Sequence, residues 1–137
     1  MPKTALEKLR QKKAAKKVVL DKDFAGIKAG EKMLVGTPRM VADYMHNIAP
    51  GDSRSIPELR SELAETHGCD AMCPVSTAIF IRIAAQAAIE EMAAGQAADE
   101  AIPFWRVLTP ADKITQKLTV DSQWVAHQRE LEAGKPG

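Results

Sequence analysis

The stretch from Val75 to about Ala94 carries Ala78, Ile79, Ile81, Ile83, Ala84, Ala85, Ala87, Ala88 and Ile89, with few polar positions among them. A helix that is apolar nearly all round is buried on most sides. Pro74 before it and Gly95 after it mark its ends. The remaining sequence must therefore supply elements that wrap this helix. With 137 residues, 45% of them hydrophobic, the chain can bury one modest core and has little room for two. No apolar run approaches the roughly 18 residues of a membrane span. Met1 to Lys17 is basic and lacks the apolar stretch and cleavage site of a secretory signal. Two cysteines make no disulfide framework, so the expectation is a cytoplasmic protein with no membrane partner.

The partners of that helix are legible in part. Thr37 and Pro38 form an N-cap and first helical position, followed by Met40, Val41, Tyr44, Met45 and Ile48 at helical spacing, with Pro50-Gly51 as the exit. Ser55 and Glu58 stand three apart as a capping box opening a helix with Leu59 and Leu63, which Gly68 stops. Residues 104–108 read as a strand. Ile114, Gln116, Leu118 and Val120 alternate with Thr115, Lys117 and Thr119, a period of two that predicts a second strand after the turn Thr109–Asp112. Asp121 then caps a helix holding Trp124, Val125 and Leu131, closed by Gly134. The expected fold is mainly α with a small β hairpin, in the order of a winged helix-turn-helix.

Charge divides the chain. Residues 1–33 hold ten Lys/Arg against four Asp/Glu, a net +6; residues 34–137 hold nine against fourteen, a net −5. Residues 3–17 read as a basic helix with a narrow apolar stripe, Leu6 and Leu9, and residues 18–36, with Gly26, Gly30 and Gly36, as a linker in which Val18, Val19 and Leu20 can add a short strand. Residues 1–33 are thus expected to form a basic arm and linker, and residues 34–134 the compact domain. Such an arm attracts phosphate-rich partners or serves as a solubilising end. Losing residues 1–17 is expected to leave the domain folded.

Four segments, Val41–Gly51, Ser55–Ala64, Ile102–Val107 and Trp124–Gly134, together resemble the DNA-binding domain of the O6-alkylguanine-DNA alkyltransferases and of alkyltransferase-like proteins. Ile102-Pro103-Phe104-Trp105-Arg106-Val107 is similar to that family's Ile-Pro-Cys-His-Arg-Val active-site segment. The resemblance spans residues 40–134 and implies a winged helix that binds DNA. It also implies the loss of catalysis. Phe104 stands at the reactive Cys position and Trp105 at the His position; phenylalanine has no nucleophile, and indole is no base near neutral pH. The family's Tyr is replaced by Ile56, and its helix-inserted Arg falls near Thr77.

Candidate DNA-binding residues are therefore Arg54, Ser55, Ser76, Thr77, Arg106 and Lys113, with Lys117 beside Lys113 on the wing. Ser76 and Thr77 either meet phosphates at a helix N-terminus or cap it. Arg82 either reaches a phosphate or pairs with Glu58 or Glu62. Phe104 and Trp105 either line a pocket for an extruded base or fill core volume; on a strand, one would be buried and the other exposed. The arrangement of His67, Cys69, Asp70 and Cys73 admits a zinc or cysteine-enzyme reading, although it fits no strong zinc spacing, and a pair of buried loop thiols reads as well. Glu90 and Glu91 are adjacent and do not face each other. Phosphate-loop, dinucleotide and nucleophile-elbow motifs are absent from the sequence. The expectation is a non-catalytic DNA-binding protein without metal or small-molecule cofactor. The alternative is a protein-interaction module or homodimer on the same fold.

Overall fold

The computed structural model describes residues 4–133. Gly134, the expected stop of the last helix, lies outside the described residues, as does Lys3, the expected start of the first. Six helices and three short strands follow in the order α1 (Ala5–Arg10), β1 (Lys16–Val19), β2 (Lys32–Val35), α2 (Pro38–His46), α3 (Ile56–Thr66), β3 (Ala71–Met72), α4 (Pro74–Ala93), α5 (Lys113–Gln116) and α6 (Ser122–Ala133). The chain is mainly helical with one small sheet, ordered β1-β2-β3. The strands β1 and β2 are antiparallel, with Lys16 opposite Val35 and Val19 opposite Lys32. β3 joins β2 in parallel, Leu34 opposite Met72.

The apolar helix is the pillar of the fold. Ile81, Ala84, Ala85, Ala87 and Ala88 of α4 are all fully buried. Alanine projects little beyond the backbone, so neighbours approach closely. Helices α1 and α2, the turn at 104–106 and α5 all pack on α4. The flanking helices follow their caps. Thr37 Oγ1 accepts the Met40 N–H with Pro38 in the first turn. Ser55 and Glu58 exchange both capping-box hydrogen bonds at the start of α3. Gly68 (φ +68°) takes the left-handed conformation that stops α3, at no cost to a residue without Cβ.

Three expectations change. The basic segment is not a detached end. Its helix stops at Arg10, and Leu9 is 3% exposed in the main core, with Leu6 packed against it. The Leu6 N–H donates to Glu90 Oε1 of α4 at 3.1 Å. A six-residue helix does not stand alone in water, so this docking and the Thr4–Glu7 capping box hold it. Nor are residues 18–36 a plain linker: they include part of β1 and all of β2, and Ile27 and Met33 bury against Cys73 in a second small cluster.

The hairpin expected after residue 102 is absent. Phe104–Arg106 forms a 3-10 turn, so Phe104, Trp105, Val107 and Leu108 are all buried rather than alternating. Residues 113–116 are helical. Ile114 and Leu118 are four apart, a spacing that satisfies a strand face and a helix face alike. Local hydrogen bonds decide between them: Asp112 Oδ2 accepts the Thr109 N–H at 2.7 Å, and buried Thr115 Oγ1 donates to Thr109 O at 2.7 Å. The hairpin of this fold is β1–β2, at the other end of the chain.

Because Leu9 anchors α1, Leu9→Ala is expected to cost about 2–4 kcal/mol, and removal of residues 4–17 to lower the thermal midpoint by more than ten degrees or so. Urea and thermal unfolding followed by circular dichroism check both. An unchanged midpoint after truncation would contradict the docking.

Candidate functional site

The segment Phe104-Trp105-Arg106 turns inward. The Phe104 ring lies 5.4 Å from Trp105 edge-on and 5.9 Å from Trp124 of α6 nearly parallel, and the two indoles meet edge-on at 5.6 Å. Phe104 is fully buried and Trp105 is 2% exposed. The three rings pack against one another rather than around an open space. The expected base pocket is therefore not formed by the two rings together: Phe104 lies wholly in the core, and Trp105, almost fully buried, borders only a small cleft beside Arg129 and Glu132.

Arg106 is likewise spent inside the fold. Its Nε and Nη2 donate to the Glu132 carboxylate at 3.1 and 2.8 Å, and its Nη1 donates to Ile48 O at 2.6 Å. Its own carbonyl accepts the Arg54 N–H at 2.9 Å. The guanidinium thus ties the 104–106 turn to Ile48 after α2 and to α6, and the Arg106 carbonyl adds the 52–55 loop. Arg129 reinforces it by donating to Trp105 O at 2.7 Å. Burial, the largest single influence, opposes ionisation of Glu132, but the hydrogen bonds and charge of Arg106, with hydrogen bonds from Trp105 and the Gly51 backbone, together hold the carboxyl below its ordinary range. Arg106 presents no free fork to a phosphate.

The other expected DNA contacts scatter. Arg54 pairs with Asp52 at 2.9 Å and approaches Glu62 at 3.9 Å. The Arg54 hydrogen bond holds Asp52 below the usual carboxylate range. Glu62 also accepts the Tyr44 hydroxyl, and burial, aided by that carboxylate, pushes the Tyr44 pKa up. Ser55 is occupied as an N-cap. Thr77 is fully buried and donates to Cys73 O at 2.6 Å, so it cannot reach a duplex. Ser76 is half-buried, its hydroxyl shielded and unpaired. Lys113 and Lys117 are exposed at the two ends of α5. Arg82 is exposed and joins no ion pair among the described residues, since Glu58 caps α3 and Glu62 serves Tyr44 and Arg54. The surface around Arg54 thus carries three acids, Asp52, Glu58 and Glu62.

Residues 67–73 are built into the sheet and its flanking helices. His67 ends α3, Asp70 Oδ2 accepts the Lys32 N–H at 2.8 Å, and Cys73 is buried at the start of α4. Cys69 is half-buried with its thiol 3.7 Å from His67 O. Among the described residues, no group of three or more His, Cys, Asp or Glu is placed to hold a metal.

The structure assembles a different site. Beside α1 lies an open cleft of about 780 Å³ lined by Leu9, Arg10, Gln11, Lys12, Lys13, Ala14 and Arg39. Four of these are cations and none is an acid. Leu9 is the anchor: its burial fixes the chain just where Arg10, Lys12 and Lys13 follow, and α1 packs beside α2, which carries Arg39 in its first turn. Arg39 also meets Asp43 at 3.5 Å, but both are largely exposed, and such pairs are weak and screened by salt. The charge run 8–17 is visible in the sequence. Arg39 is not, because nothing local ties it to a segment some thirty residues earlier.

Comparison of the chain with protein-family models, curated proteins and solved structures finds no match.

Disrupting the Arg106–Glu132 pair tests the interior role. Arg106→Ala leaves a buried carboxylate alone and is expected to cost about 3–5 kcal/mol. Glu132 is depressed in the fold, so its contribution is complete above the ordinary glutamate range and is lost as pH falls through the depressed value. Stability measured by urea unfolding should fall across that acidic window in the wild type, and Glu132→Gln should flatten this part of the profile. A parallel profile in both proteins would remove Glu132 as its source.

Proposed function

We propose that this chain is a non-enzymatic DNA-binding protein that grips the phosphate backbone through the basic cleft between α1 and α2. The cleft carries the reading: four cations held on a fixed framework, with no acid among the lining residues. In a body of net −5, so concentrated a positive patch orients a polyanion on one face. Duplex DNA fits better than an unpaired strand, since no aromatic ring lines the cleft for bases to stack on. The residue-level likeness of positions 40–134 to alkyltransferase DNA-binding domains supports the same class of ligand, with α3 and α4 read as a helix-turn-helix pair that lacks the expected wing after residue 102. The absence of chemistry rests on Phe104 at the nucleophile position. In this reading the contact face is the docked basic segment rather than the surface around Arg54.

The affinity should be dominated by counterion release. The log of the binding constant then falls with log salt by about 0.9 per phosphate neutralised. Fluorescence anisotropy with a labelled duplex should show this slope flatten by about two units in the Lys12→Ala/Lys13→Ala variant and about one in Arg39→Ala. Arg54→Ala should leave it unchanged. Undetectable binding of the intact chain at low salt would end the DNA reading.

Incubation with a duplex carrying labelled O6-methylguanine should leave the protein unlabelled, because no thiolate stands at position 104. Stoichiometric transfer of label to Cys69 or Cys73, read by peptide mapping, would overturn the non-enzymatic assignment.

A further inference from the structure

Beyond α1, the pillar helix exposes an apolar line. Val75 is 56% exposed and Ile79 53%. With half-buried Ile83 they stand at i, i+4 and i+8, a stripe about 12 Å long, or slightly more than two turns. Among the described residues, Val75 and Ile79 are not part of any buried cluster. Ile79 and Ile83, with Ala5 of α1, line a groove of about 310 Å³ between α1 and α4. Two cations, Lys8 and Arg82, border it, and its lining has no acid. Neither cation is in an ion pair among the described residues.

We propose that this α1–α4 groove docks an acidic amphipathic helix of a partner protein. An apolar stripe two turns long matches the i, i+4 anchors of a helix laid in a groove. Lys8 and Arg82 select carboxylates on that helix and fix its orientation. DNA is a poor occupant, because phosphates would have to displace water from three aliphatic side chains to reach the two cations. The groove shares no residue with the basic cleft, so this docking does not depend on DNA binding.

The test uses the intact chain, isotope-labelled for amide NMR. The probe is a synthetic helical peptide of about four turns with leucines at i, i+4 and i+8 flanked by glutamates; its counterpart carries lysines in their place. The acidic peptide should shift amide signals of residues 5–8 and 75–86. Ile79→Ser, at an exposed position, should weaken it about tenfold without unfolding the chain. Arg82→Glu should turn the preference toward the lysine peptide. Lys12→Glu/Lys13→Glu should bind the acidic peptide as the wild type does. The proposal fails if the acidic peptide leaves the groove signals unmoved, if both peptides bind alike, or if the Lys12/Lys13 variant loses the peptide. Groove signals that move with protein concentration in the absence of peptide assign the face to a second copy and equally overturn it.

Discussion

The packing of small side chains along α4 is the constraint from which the rest of the molecule follows. Ala84, Ala85, Ala87 and Ala88 let α1, α2 and the 104–106 turn close onto one helix from several sides. Each of those elements is too short to stand by itself. A helix of six residues and one of nine gain order chiefly from the apolar surface they cover. Replacing one of these alanines with a larger residue would therefore act on several contacts at once, since a close-packed interior has no slack to absorb it.

Around this pillar, polar groups do what the modest core cannot. The Arg106 fork joins its own turn to Ile48 and to Glu132 of α6, Arg129 adds a bond to Trp105 O, and Asp70 accepts the Lys32 N–H at the sheet edge. Arg106 and Arg129 look like surface features when the sequence is read alone, yet both are committed to partners within the fold. A protein with few aromatic rings and many alanines relies on such ties to choose one arrangement among several compact ones.

Legibility followed the range of the interaction. The starts of α2 and α3 and the stop of α3 were readable because Thr37, Ser55 with Glu58, and Gly68 act on backbone groups within four residues of themselves, whereas α2 stops at His46, before the expected exit at Pro50-Gly51. The stretch from 104 to 120 was misread because its spacing of two and four suits either periodicity, and the choice fell to hydrogen bonds from Asp112 and Thr115 that binary pattern does not encode. At the candidate site, the excess of cations before residue 20 was plain. That Leu9 would fix them beside Arg39 was not, because two leucines in a basic segment carry no mark of the alanine face that receives one of them. Arg106 stood out as a distinctive residue but was read as a DNA contact, because its environment, set by Glu132 26 residues later, was invisible.

The bond from the Leu6 amide to Glu90 spans 84 residues of sequence. A chain grows from its N-terminus, so Leu9 and the cations after it emerge long before the surface that seats them exists. Throughout that interval the basic segment is an unanchored polycation attached to a nascent chain, surrounded by the polyanionic machinery of translation. The segment can dock only once α4 is in place, so the order of the first helix depends on residues made some eighty positions after it.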